Sequence, residues 1–92
     1  MAFWEGTIYL TNSVSQRPFI RQLIGFEPGN AYVTVETNPI RYRYGGADPN
    51  TADGHLLEVG QGIVINAPDV EEFRAISTVA GGSKIVCTIK GK

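Results

Sequence analysis

The sequence predicts one all-β domain over residues 1–92, a jelly-roll-like β-sandwich of about eight short antiparallel strands. Val and Ile together number 17 against four Leu, and such β-branched side chains pack well on a pleated sheet. Eleven Gly and five Pro divide the chain at short intervals, which is typical of turns between strands. An immunoglobulin-like sandwich is the second possibility for the fold.

The first half of the chain contains three predicted strands. Gly6–Thr11 alternates between apolar and polar residues, as a half-buried strand does. Phe19–Phe26 is apolar on both faces and predicts a central or interface-facing strand. Glu27–Asn30 places Pro and Gly where a type II turn needs them. Ala31–Thr37 then alternates, with its two valines facing inward.

The second half predicts five more strands. Ile40–Tyr44 puts its aromatic residues on one face and its two arginines on the other. His55–Val59 and Gly62–Ile65 predict a hairpin around a Gly-Gln pair in a type II′ turn. Phe73–Thr78 and Ser83–Lys90 predict another hairpin around a Gly-Gly pair.

The segment Asp69–Phe73 is compatible with either a helix or a strand. Acidic residues would occupy the first turn of a helix, and Val70, Phe73 and Ile76 recur at a spacing of three residues. We expect one helical turn at most, followed by a strand.

The charge and apolar content argue against nucleic acid and membrane partners. The formal net charge is −1, without the basic stripe that binds a phosphate backbone. No run approaches the roughly 20 apolar residues of a membrane span, and the N-terminal residues do not resemble a signal peptide. We therefore expect a soluble protein made in the cytoplasm. Cys87 is in phase with Ile85 and Ile89, which predicts a buried core thiol.

The residue types that carry catalysis and metal binding are sparse. His55 is the single histidine, whereas a jelly-roll metalloenzyme of the cupin kind needs several His and carboxylate ligands. No G-x-S-x-G nucleophile elbow occurs. We expect no enzymatic activity, no metal and no cofactor, with a small cupin-like enzyme as the least favoured hypothesis. His55 is expected to hydrogen-bond in a turn.

The polar loop Asp48–Gly54 resembles a calcium loop only superficially. Counting from Asp48, an EF-hand would need an oxygen ligand at position 5 and a bidentate acid at position 12, where this chain has Ala52 and Val59. Asp48 and Asp53 are expected to make local turns with backbone amides instead. Weak calcium binding through loop carbonyls stays open.

The C-terminal half resembles a group of small virion proteins of tailed bacteriophages. The resemblance rests on the run IRYRYGGADPNTADGHLLEVGQG, on FRAIS and on the closing strand GGSKIVCTIKGK. The matching positions are Ile40 to Tyr44, Asp48-Pro49, Gly54-His55, Leu56-Leu57, Gly60, Phe73-Arg74 and Ile76. Such proteins are associated with jelly-roll or related sandwiches that decorate heads or form tail and neck structures, commonly as trimers or other rings.

This resemblance implies a capsid cement or decoration protein, located in the virion, that binds copies of itself and the major capsid protein. A tail- or neck-associated structural protein is an alternative. From the residues alone, Phe3 and Trp4 either pack on their own domain or dock onto a neighbouring subunit, since aromatics are enriched at interface cores. The candidate interface residues are Phe3, Trp4, Tyr9, Tyr32, Arg41, Tyr42, Arg43 and Tyr44.

An alternative of another class is a carbohydrate-binding sandwich. In that case Tyr32, Tyr42 or Tyr44 would stack on sugar rings.

Overall fold

Two antiparallel sheets pack face to face in the structure, a computed structural model that describes residues 2–45 and 47–92. The predicted all-β sandwich is therefore confirmed. Met1 and Gly46, the latter just before the predicted polar loop, lie outside the described residues. The elements are β1 (Phe3–Leu10), α1 (Arg21–Ile24), β2 (Pro28–Thr37), β3 (Ile40–Arg43), β4 (His55–Leu57), β5 (Gly62–Asn66), α2 (Asp69–Glu72), β6 (Arg74–Ser77) and β7 (Ser83–Gly91).

The four-stranded sheet has the order β1-β7-β2-β5, and the three-stranded sheet has the order β4-β3-β6. Four antiparallel pairings are nested along the chain: β1 with β7, Gln16 with Ala75 of β6, β2 with β5, and β3 with β4. The chain thus has the topology of one long hairpin folded over into two sheets. Two further pairings, of β7 with β2 and of β3 with β6, join the nested pairs within each sheet.

The core lies between the two sheets. Alternation along β2 and β7 turns every second residue inward, as the pleat of a strand requires. The inward valines of β2 and the position of Cys87 in the core are confirmed. The buried hydrophobic residues of the core cluster are Leu10, Phe19, Ile24, Ala31, Val33, Val35, Ile40, Leu57, Ile65, Val70, Phe73, Ala75, Ile85, Cys87 and Ile89.

Both predicted hairpins are wrong, because each pair of strands divides between the two sheets. β4 belongs to the three-stranded sheet and β5 to the four-stranded sheet. The Gln61 N–H donates to the Glu58 carbonyl and closes a four-residue turn. Gly60 is the third residue of this turn and has φ +87°, whereas a type II′ turn needs its positive φ at the second residue, so the turn is not type II′. β6 and β7 are separated in the same way. A short glycine-containing link is equally able to carry the chain from one sheet to the other.

The predicted strand Phe19–Phe26 is also wrong. The segment forms a single helical turn, α1, which ends at Gly25 in the left-handed conformation with φ +88°. Phe19 and Ile24 are buried, whereas Leu23 is 66% exposed. Apolar residues on both faces therefore marked a compact turn and not a central strand. Seven strands, instead of the predicted eight, are found in the described part of the chain.

The predicted turn at Glu27–Asn30 is replaced by the start of β2. Gly29 does not have the positive φ of a type II turn. A Cβ on Gly29 would lie 2.9 Å from the carbonyl oxygen of Gly91, so glycine allows the two backbones to approach closely. The helical turn at Asp69–Glu72, with β6 following it, is confirmed.

Two crossovers between the sheets are tied together by hydrogen bonds to Pro39. Its carbonyl oxygen accepts from the Thr78 hydroxyl at 2.8 Å and from the Ser83 hydroxyl at 3.3 Å. The Ser83 hydroxyl also lies 2.7 Å from that of Ser77, and both serines are buried. The hydroxyls of these two buried serines are thus paired, as a low-dielectric interior requires.

Replacement of Val33 by alanine is expected to lower the free energy of unfolding by about 2 kcal/mol, because a fully buried side chain loses two carbons and leaves a cavity. Val64→Ala on the neighbouring strand is the matched control, since Val64 is 64% exposed. It should change stability by less than about 0.5 kcal/mol. Urea unfolding measures both, and equal effects would contradict the inward assignment of β2.

Candidate functional site

The eight candidate interface residues divide between the two sheets. Phe3, Trp4 and Tyr9 lie on β1, and Tyr32 lies on β2 of the same four-stranded sheet. The remaining four follow one another on or just after β3 of the other sheet, and they are Arg41, Tyr42, Arg43 and Tyr44. The structure therefore contains two separate candidate surfaces.

β1 is an edge strand with an aromatic residue exposed near each end. Phe3 is 56% exposed and Tyr9 is 71% exposed on the outer face of the sheet. Trp4 and Ile8 face the other way and pack against the core while half-buried. Of the two predicted positions for the N-terminal aromatics, Trp4 thus packs on its own domain, whereas Phe3 stays largely in solvent.

A groove of about 410 Å³ opens beside β1, which we call the β1 groove. Gln16 pairs with β6, at the edge of the three-stranded sheet, so the groove lies where the sandwich is open between the edges of its two sheets. Its lining residues are Trp4, Ile8, Gln16, Arg17, Pro18, Leu23 and Ile24.

Sequence reasoning missed the lining residues between Gln16 and Ile24. The available signal was Pro18, which disfavours a strand interior, followed by apolar pairs at helical spacing.

The outer face of the four-stranded sheet is mixed in character. Tyr32 is half-exposed and stands opposite Val64 of β5, which is also exposed. The Thr88 hydroxyl donates to the Glu5 carboxylate at 3.1 Å on the same face. Tyr32 therefore sits among small polar and aliphatic neighbours, apart from the other tyrosines.

Tyr42 belongs to a row of aromatic rings that leads from the surface into the core. Its ring centroid lies 6.0 Å from that of Tyr44 and 5.7 Å from that of Phe73, which in turn stacks on Phe19 at 5.2 Å. Burial, and then the proximity of Tyr44, raise the pKa of the Tyr42 hydroxyl. Tyr42 is consequently a packing residue, and Tyr44 is the exposed end of the row.

Arg41, Arg43 and Arg74, which we call the arginine cluster, share the outer face of the three-stranded sheet. Arg43 is 2.8 Å from the Asp53 carboxylate, Arg74 is 3.0 Å from that of Asp48, and Arg41 donates to the Gly54 carbonyl at 3.0 Å. The arginine cluster thus holds the loop between β3 and β4 against the sheet.

Ile76 is buried on the outer face of the three-stranded sheet, beside the arginine cluster. Ile76 pairs with Arg41 and so faces outward from the sandwich, yet it is only 4% exposed. The Nε atoms of all three arginines are buried without a hydrogen-bond partner. Arg41 and Arg43, chosen from the sequence as interface residues, therefore have an intramolecular role in the structure.

The expectation of local turns is right for Asp53 and wrong for Asp48. The Asp53 carboxylate accepts from the N–H of Gly54 at 3.0 Å. The Asp48 carboxylate instead accepts from the distant Ser15 hydroxyl at 2.8 Å and from Arg74. These two hydrogen bonds lower the pKa of Asp48. Asp48 thus links its loop to residues that are distant in sequence, Ser15 and Arg74.

The residues considered for catalysis lie apart. His55 is in β4, with its ring 5.3 Å from that of Tyr42, and its expected role in a turn stays a prediction. Burial raises the pKa of the Cys87 thiol to about 12. Within residues 2–45 and 47–92, no three His, Cys, Asp or Glu side chains group closely enough to hold a metal ion.

Neither helix that the structure describes has the length and apolar character needed to cross a membrane. Comparisons of the chain with protein-family models, with curated proteins and with solved structures found no significant match.

Replacement of Arg74 by methionine is expected to loosen the loop between β3 and β4, because Asp48 loses its cationic partner. Amide hydrogen exchange should speed up in residues 47–54 while the core strands stay protected. Arg21→Met is the control, since its ion pair with Glu27 is exposed on both sides and involves no residue of 47–54. Equal effects of the two variants on residues 47–54 would contradict the role of the arginine cluster.

Proposed function

We propose that this chain is a structural protein of a phage virion, in the simplest case a capsid cement or decoration protein. It would act by associating with copies of itself and bridging neighbouring capsid subunits. The observation that carries this proposal is the β1 edge, an eight-residue strand paired on one side within the described residues and bordered by exposed aromatics and an apolar groove. Surfaces of this kind mark sites of protein association.

The residues that carry the phage resemblance have an architectural role, in agreement with the proposal. Gly54 has φ +125°, and a Cβ there would lie 3.1 Å from Pro49, so the loop folds back closely on itself. Phe73 joins the aromatic row and Arg74 holds Asp48. The motif thus builds the three-stranded sheet and its covering loop, which is what a structural protein would retain.

The jelly-roll form of the sandwich is part of the proposal. Nested pairing of a long hairpin that is rolled into two sheets is the arrangement that a jelly roll has. The segment around Gln16 would take the place of the eighth strand, because it pairs with β6 between the pairings of β1 and β2.

The mechanism of such a protein is burial of surface. A stable association buries on the order of 1,200–2,000 Å² in total, with aromatic anchors near the centre. Phe3 and Tyr9 would supply these anchors, since both are already exposed at the edge. The phage resemblance favours a trimer or another ring as the final assembly.

The carbohydrate-binding alternative has less support in the geometry. Tyr32 lies on one sheet, whereas Tyr44 follows the central strand of the other. The Tyr42 ring stacks with those of Tyr44 and Phe73 and is half-buried. A sugar would therefore meet single tyrosines instead of a platform of several rings.

Mass spectrometry of gradient-purified virions of the encoding phage tests the proposal. We expect the chain in many copies per particle, at a fixed ratio to the major capsid protein. The double variant Phe3→Ala/Tyr9→Ala should fold normally and bind purified capsids about tenfold more weakly or worse, because two anchors are lost. Leu56→Ala, which changes an exposed residue of β4, is the control. Absence of the chain from virions would contradict the proposal.

A further inference from the structure

We propose that β1 pairs antiparallel with β1 of a second copy across a two-fold axis at Gly6. The two four-stranded sheets would then form one continuous sheet. This inference rests on the self-association part of the proposed function and specifies its first step. A ring built from such dimers would contain an even number of copies, so the pairing selects an even-numbered ring over a trimer.

The free edge of β1 is able to pair with another β-strand. Only β7 pairs with it in the described ranges, so alternate N–H and C=O groups of eight residues point outward without a backbone partner. Natural edges are protected by proline, lysine, bulges or short length. β1 has none of these features, and its one charged residue is Glu5. An edge of this kind is suited to strand addition.

The pattern of β1 shows that the added strand can be β1 itself. Trp4, Gly6 and Ile8 face the groove side, and the odd-numbered residues face outward. Directly opposite residues of an antiparallel pair lie on the same face of the sheet. The groove-facing, even-numbered residues of one copy must therefore stand opposite even-numbered residues of the other, so the two residue numbers of every opposite pair add up to an even value. A two-fold axis that passes through a residue meets this condition.

An axis at Gly6 gives the best match of side chains. Phe3 of one copy then stands opposite Tyr9 of the other, and Glu5 stands opposite Thr7. An axis at Glu5 would place two carboxylates opposite each other, which is unfavourable. An axis at Thr7 would place Phe3 opposite Thr11, beyond the end of β1. Aromatic pairs and the absence of like charges both favour Gly6.

The same axis closes the β1 groove. Trp4 of one copy stands opposite Ile8 of the other on the groove side, so each groove receives apolar cover from its partner. Gly6 has no side chain at the axis, and the Trp4 ring lies over it, 3.1 Å from where a Cβ would be. The exposed Leu23 borders the groove and would also be covered.

Charge changes at Thr7 test this pairing, because Thr7 is exposed and would face Glu5 of the second copy. At low salt, Thr7→Lys should lower the dimer dissociation constant about threefold or more, and Thr7→Glu should raise it about tenfold or more, since each change acts at two symmetric positions. The double variant Glu5→Lys/Thr7→Glu should bring it back to within about threefold of the unchanged protein. Analytical ultracentrifugation measures all four proteins, and circular dichroism verifies their folding.

Three results would overturn the inference: an unchanged protein that stays monomeric at millimolar concentration, a trimer or ring that forms without a dimer, and equal effects of lysine and glutamate at Thr7. If the charge pattern fails and the chain is still found in virions, the pairing is wrong while the proposed function stands. If the pattern holds and virions lack the chain, the pairing stands and the proposed function fails.

Discussion

The pairing of β7 with both β1 and β2 is the interaction on which the rest of the structure depends. Ile85, Cys87 and Ile89 of this strand are fully buried, and their neighbours on both sides are strands of the same sheet. Both neighbours of β7, β1 and β2, lie far from it along the chain. The order of the sheet is therefore set by contacts between residues that are far apart in sequence, which form slowly because their loops must close first.

Local patterns predicted the strands, and long-range contacts decided how they are arranged. The alternation in β2, the inward thiol of Cys87 and the turn at Asp69–Glu72 followed from periodicity and turn chemistry. The separation of β4 from β5 could not follow from the sequence, because a glycine turn serves a hairpin and a crossover equally well. The partner of Asp48 was also hidden, since Ser15 and Arg74 are distant in sequence. At the candidate site, the aromatics of β1 were predicted, whereas the groove that depends on α1 was missed.

The exposed surfaces of the two sheets differ in how much of them other parts of the chain cover. The arginine cluster and its carboxylate partners hold a loop against the three-stranded sheet, and the outward-facing Ile76 on that face is buried. Among the described residues only β7 pairs with β1, and aromatic side chains and a groove are exposed along its free edge. A chain of 92 residues has a small core, and assembly is a common source of additional stability for domains of this size. The apolar surface along the β1 edge is the surface that such an assembly would bury.

Amide hydrogen exchange of β1, followed by nuclear magnetic resonance at increasing protein concentration, tests this account most directly. Half of the amides of β1 donate to β7, and the alternate ones point outward from the edge. The account predicts that the first set is protected at every concentration and that the second set becomes protected as the concentration rises. Exchange rates of the outward amides that do not change over the whole range would contradict it.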